Sequence, residues 1–169
     1  MIFKFAYFLA LCKNWFGVNL QALLILTVQK NFDQTIYSDV AQSGFCSSFC
    51  GWHTYDGNYV FAWIGVPPSG CNCFSQSISP NGNAGVDAAV STIAHELAES
   101  VTNPYFNGWY YSSSSTGTVE NGDQCAWYFP NAVKQASGAY YNIIVNGLYY
   151  LIQADWNLST TTCTMSWII

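Results

Sequence analysis

His95-Glu96-Leu97-Ala98-Glu99 sets an imidazole and a carboxylate four residues apart. On a helix those two positions share a face, so His95 and Glu99 can grip one ion together, and Glu96 points toward whatever the ion holds. The layout is that of the zinc peptidase motif H-E-x-x-H with the second His replaced by Glu. Glu120, 21 residues beyond Glu99, is the expected third ligand, carried by an element that folds back over the helix. Water in the open position would be acidified by the ion. Glu96 would take its proton as the catalytic base and pass it to a leaving amine. Asp123 is expected to orient His95 or to be a ligand itself. His53 is a candidate fourth ligand or transition-state donor. Two carboxylates and one imidazole make an anionic site, which weakens zinc as a Lewis acid and also suits another divalent cation such as Ca²⁺ or Mn²⁺.

The element that must carry this chemistry is a helix over Val86 to Thr102. Val86, Val90, Ile93, Leu97 and Val101 recur at helical spacing as an apolar face. Thr92, His95 and Glu99 fall opposite, with Glu96 at the boundary. An ordinary solvated face would carry basic partners. Past Lys30, however, the chain holds nine acidic residues against the single base Lys134, and it has no Arg at all. Clustered carboxylates without salt-bridge partners must be solvated, protonated or holding a cation.

Length and composition bound the rest. The chain has 169 residues, 51% hydrophobic, 18% aromatic and only 8% charged, with a net charge of −5. That is enough for one domain with a real core. It argues against disorder and against nucleic-acid binding, which needs a basic footprint. Abundant Tyr, Trp, Ser, Thr and Asn suit a β-rich extracellular domain.

Seven cysteines point to the compartment. Cys12 stands apart. Cys46, Cys50, Cys71, Cys73, Cys125 and Cys163 read as three disulfides in an oxidising compartment. The preferred pairing sets Cys46/Cys50 against Cys71/Cys73 and Cys125 against Cys163, one of fifteen connectivities open to six cysteines. A four-cysteine zinc site is the rival, with poor spacing for it.

Residues 1–35 read as an irregular N-terminus: Met1 to Leu11 resembles a short signal peptide, but Lys13 and Asn14 interrupt it and no clean cleavage site follows. The apolar run 15–28 is shorter than a stable membrane span. Tyr59 to Val66 is the clearest strand. Ser79 to Asn83 is a loop leading into the helix, Asn103-Pro104 ends it, and Ser112 to Gly117 is a polar loop. Tyr140–Val145 and Tyr149–Gln153 form a hairpin around Asn146-Gly147. The rings of Trp109, Tyr110, Tyr111, Trp127, Tyr128 and Phe129 serve as core and hairpin residues or as a surface for sugar faces or peptide.

Several landmarks in order resemble the EXORDIUM / phosphate-induced protein family of secreted plant-type proteins. They are Phe45-Cys46, Cys50-Gly51-Trp52-His53, Phe61 to Gly65, Cys71, Cys73, Ser79 to Gly82 with Gly85-Val86-Asp87, and Ile93 to Glu99. Thr102-Asn103-Pro104, Asn107 to Tyr110, Glu120 to Cys125, Tyr141-Asn142, Asn146-Gly147 and Cys163 follow. The resemblance covers residues 36–169, the C-terminal part of such a domain. It implies an extracellular or cell-wall location and a link to growth responses, but no biochemical activity.

The expected fold is α+β: a mixed or antiparallel sheet packed on a central, zincin-like metal-binding helix, with disulfide-tied loops. Two functions follow from these residues. One is metal-dependent peptide hydrolysis outside the cell. The other is a non-catalytic extracellular protein that binds a peptide or cell-wall component and uses its metal structurally.

Overall fold

The computed structural model describes residues 25–28, 42–57, 59–113 and 117–165. The reading of residues 1–35 therefore lies outside the described residues, apart from one short strand, as does the centre of the polar loop at 114–116.

The fold is α+β. Strands β1 (Ile25–Val28), β2 (Gly51–Asp56) and β3 (Tyr59–Ile64) form a mixed sheet in the order β1-β3-β2. β1 runs parallel to β3, and β2 is antiparallel to it with His53 opposite Ala62. Tyr-Val-Phe-Ala-Trp-Ile is the run of β-branched and aromatic residues that a half-buried strand selects. Its inward residues Ala62 and Ile64 meet Ala89 and Ile93 of helix α1 (Ala84–Thr102) to form the core cluster. Ile64 is fully buried, which stabilises the fold by about 1.5–3 kcal/mol relative to an exposed side chain.

Helix α1 starts where its cap allows. Asn83 is extended and its side chain accepts from the Val86 N–H at 3.1 Å, so the helix begins two residues before the apolar pattern does. At the other end the Asn103 N–H reaches the Glu99 carbonyl at 2.7 Å, and Pro104 cannot continue the ladder. The apolar face differs from the periodic reading. Val86 is 42% exposed, whereas Glu96 and Glu99 are 3% and 4% exposed. Strand β2 and the short helix α2 (Asn121–Gln124) lie over the polar side of α1 and bury it. Gly51 permits that approach, because a Cβ there would lie 2.7 Å from Thr92 Cγ2 and 2.8 Å from Glu96 Oε1.

Four two-stranded ribbons complete the chain: β4 (Tyr111–Ser113) with β5 (Gly117–Val119), β6 (Val133–Lys134) with β7 (Tyr140–Tyr141), β8 (Ile143–Val145) with β9 (Leu148–Tyr150), and β10 (Asp155–Asn157) with β11 (Thr162–Thr164). Asn146 and Gly147 turn the third ribbon at φ 52° and 78°, the type I′ geometry their sequence announces. The strand expected over Tyr140–Val145 is broken at Asn142. That side chain instead exchanges two hydrogen bonds with the Ile152 backbone, at 2.7 and 2.8 Å.

Three disulfides tie the loops: Cys46–Cys71, Cys50–Cys73 and Cys125–Cys163. The first two clamp the turn leading into β2 against the segment before α1. The third fastens the end of α2 to β11. No helix among the described residues is long and apolar enough to cross a membrane.

Candidate functional site

Helix α1 presents His95, Glu96 and Glu99 to two partners that the chain brings from opposite directions. β2 delivers His53 from the N-terminal side, and α2 delivers Asp123 from the C-terminal side. Glu99 stands between them. Its Oε1 lies 3.1 Å from His95 Nε2 and accepts the Asp123 backbone N–H at 3.2 Å. Its Oε2 lies 3.5 Å from His53 Nδ1. Two triads result, His53–Glu96–Glu99 and His95–Glu99–Asp123, each with ligand atoms within 4.8 Å of one another.

The inner triad is closed. His53, Glu96 and Glu99 are 6%, 3% and 4% exposed. Glu96 Oε2 lies 3.6 Å from His53 Nδ1 and has no hydrogen bond. The other ring nitrogen, His53 Nε2, faces the Asn103 carbonyl at 3.4 Å and Glu120 Oε1 at 3.6 Å. The outer triad is open: His95 Nε2 is 3.5 Å from Asp123 Oδ1, whose side chain is half exposed. His95, Glu96 and Asp123 line a cleft of about 270 Å³ with Phe49, Trp127 and Gln153.

Glu120 is thus placed on the His53 side of the cluster, where Asn103 Nδ2 donates to its Oε1 at 2.6 Å. Asp123 stands beside His95. The 21-residue spacing says that the chain returns to the helix, and the single turn of α2 decides which carboxylate arrives at which histidine. Sequence reasoning missed two residues. Asn103 is 1% exposed and bonds Glu120 and the Gly108 N–H, the latter at 2.7 Å. Its signal was its place at the end of the helix. Gln153 donates from Nε2 to the Gly122 carbonyl at 2.8 Å and lies 3.1 Å from His95 Nδ1. Nothing in the local sequence marks it.

The electrostatics follow from burial without basic side chains. Among the described residues Lys134 is the one lysine, and it lies over the Tyr140 ring. Burial disfavours a charged ring at His53, but the close carboxylates of Glu96 and Glu99 and the charge of Glu120 outweigh it, raising the pKa to about 10. Burial would lift Glu99, yet the two imidazoles hold it at about 2. Burial pushes Glu96, Glu120 and Asp123 upward. At His95 burial also opposes charge, and the hydrogen bond and charge of Glu99 draw the ring upward. The Gln153 amide sets the limit there: its Oε1 accepts from the Trp127 N–H and its Nε2 hydrogens are directed to Gly122 and Nδ1. A proton on Nδ1 would oppose an N–H, so the contact keeps His95 to one proton, on Nε2.

No solved structure matches the chain. In sequence it is 33% identical over 157 residues to Protein EXORDIUM-like 3 of Arabidopsis thaliana, covering 75% of this chain and 46% of that protein. To Protein PHOSPHATE-INDUCED 1 of Nicotiana tabacum it is 32% identical over 161 residues, covering 75% and 51%. The chain therefore spans about half the length of these curated relatives. The family model described as the phosphate-induced protein 1 conserved region matches residues 34–166, and the chain belongs to that family.

Proposed function

We propose that this chain is part of a secreted, EXORDIUM-like protein that holds one divalent cation, zinc in the first instance, in the cluster around Glu99, and that acts outside the cell by binding rather than by hydrolysis. The observation that carries the metal is Glu99 itself: a buried carboxylate with an imidazole at each oxygen, with Glu120 behind the His53 ring and Asp123 beside His95 Nε2. The three disulfides and the family's plant-type, secreted character support an oxidising, extracellular setting. The ion joins β2 to α1, and its role is to fix that junction. Ligand binding falls to exposed rings such as Trp127, 54% exposed at the cleft; its class is a peptide or a cell-wall component.

The test is metal content. Purified full chain, reconstituted with zinc and desalted, should carry about one ion and should lose cooperative stability on chelation. A folded chain that retains no ion removes the reading.

A second reading has one observation in its favour, the cleft that opens on His95, Glu96 and Asp123. With the ion on His95, Glu99 and Asp123, a bound water would face the cleft and Glu96 would be free to act as base. A broad peptide library then shows cleavage that Glu96→Gln abolishes while the metal stays bound.

A further inference from the structure

We infer that the cation sits in the buried triad of His53, Glu96 and Glu99, coordinated by His53 through Nδ1, and not beside His95. The inference rests on the metal reading above and names its ligands.

The hydrogens decide between the two positions. His53 Nε2 faces a backbone carbonyl, Asn103 O at 3.4 Å, with the Glu120 carboxylate behind it at 3.6 Å. Both groups only accept, so Nε2 carries the ring proton. That is the usual support of a metal-bound histidine, whose second nitrogen donates to a carbonyl or carboxylate. It leaves the Nδ1 lone pair aimed at two carboxylate oxygens, Glu96 Oε2 at 3.6 Å and Glu99 Oε2 at 3.5 Å. Three lone-pair donors converging in a buried space repel unless a cation lies between them.

A single proton on Nδ1 can be directed to only one of the two oxygens, and Glu96 Oε2 is left without a hydrogen bond. A metal ion fits it. Donor atoms about 2.0–2.2 Å from a tetrahedral ion stand roughly 3.4 Å from one another. Glu96 Oε2, buried and without a hydrogen bond, is the independent sign that something is to be held there. Charge agrees: one neutral imidazole and two carboxylates around a divalent ion sum to zero, the condition for burying the group.

The outer triad lacks these properties. Gln153 donates to His95 Nδ1, so Nε2 keeps its proton and donates to Glu99 Oε1 at 3.1 Å. That oxygen also receives the Asp123 N–H, so both its lone pairs are engaged. The donor set of one nitrogen and two oxygens suits zinc or manganese better than calcium, which takes six to eight oxygens. The consequence for chemistry is direct. Glu96 becomes a ligand and is no longer free to activate water.

The chain has two histidines, which makes a direct test possible on the unaltered protein. Full-length chain labelled with ¹⁵N-histidine is titrated with zinc, and separately with ¹¹³Cd²⁺, while the four ring nitrogens are followed by NMR. The expected result is a shift at one equivalent on the Nδ1 of a ring protonated at Nε2, with cadmium coupling to it, while the other ring keeps its Nε2 proton. That second ring is assigned by its disappearance in His95→Gln. Zinc affinity should fall in Glu96→Gln by more than the roughly 10–100-fold typical of losing an outer partner, and should be unchanged in Asp123→Asn. Coupling to His95 Nε2, with zinc lost in Asp123→Asn, overturns this placement and leaves the metal reading standing. A folded chain with no shift in either ring overturns both.

Discussion

Gly122 lies against the imidazole of His95 so closely that a Cβ there would stand 2.8 Å from Nδ1 and 2.9 Å from Cγ. The α2 turn thus rests directly on the ring, and the missing side chain lets Gln153 reach both the Gly122 carbonyl and Nδ1. Gly122→Ala should push the ring away and break its bonds to Gln153 and Glu99. Overpacking of this kind destabilises by about 1–3 kcal/mol, read as a fall in the denaturant midpoint. Zinc content should stay at one per chain, because His53 is untouched. A chain as stable as wild type would show that α2 shifts freely.

Asn103 and Glu120 give a second test. The Asn103 amide donates to Glu120 while its oxygen accepts from Gly108. Asn103→Asp keeps the acceptor but sets two carboxylates against each other. The variant should be about 1–3 kcal/mol less stable at pH 7, the penalty for a buried group left without its partner. Both acids would then have folded pKa values above their unfolded ones, so each is stabilising while protonated and the stability difference should narrow as pH falls toward 4. A pH-independent difference would mean that shape, and not charge, is responsible.

What could be read from the chain, and what could not, divides along a physical line. The loop that ends at Asn83, the apolar spacing and Asn103-Pro104 mark α1, because breakers and periodicity are local, whereas the Asn83 cap shows only in the structure. Six cysteines in an uncharged aromatic chain mark the disulfides; the grouping of Cys46/Cys50 with Cys71/Cys73 is a preference among fifteen connectivities, and the fold supplies the individual partners. The burial of Glu96 and Glu99 was not legible. It depends on β2 crossing the polar side of the helix, a tertiary event recorded only by the absence of a side chain at Gly51. Val86 fits the apolar pattern and is still exposed. His53 could be named as a candidate, but its placement between three carboxylates comes from sheet register, and Gln153 enters the site from a segment with no motif.

The Cys125–Cys163 bridge closes a separation of 38 residues. By loop-closure entropy its removal costs about 4 kcal/mol. The paired variant Cys125→Ala/Cys163→Ala should lose stability on that scale in urea and should free α2 from β11, raising hydrogen exchange at Asp123 and Gln124. His53, Glu96 and Glu99 belong to elements that this bridge does not join, so zinc should bind with wild-type stoichiometry. Loss of zinc in a folded double variant would place a ligand on the α2 side.

The metal-free chain should show a bounded pH optimum. His53 has its pKa raised from 6.5 to about 10, so its stabilising contribution is complete below 6.5 and is lost as pH rises through about 10. Glu99 has its pKa lowered from 4.5 to about 2, so its contribution is complete above 4.5 and is lost as pH falls through about 2. Both are complete together only between about 4.5 and 6.5 and decline on either side of it. Thermal unfolding in chelator should therefore peak in that window. Zinc enters by displacing protons from the same atoms, so the rise in Tm on adding it should be small at pH 5 and larger at pH 7.5, moving the optimum upward. An equal zinc shift at both values would mean that the ion and the protons do not compete for one site.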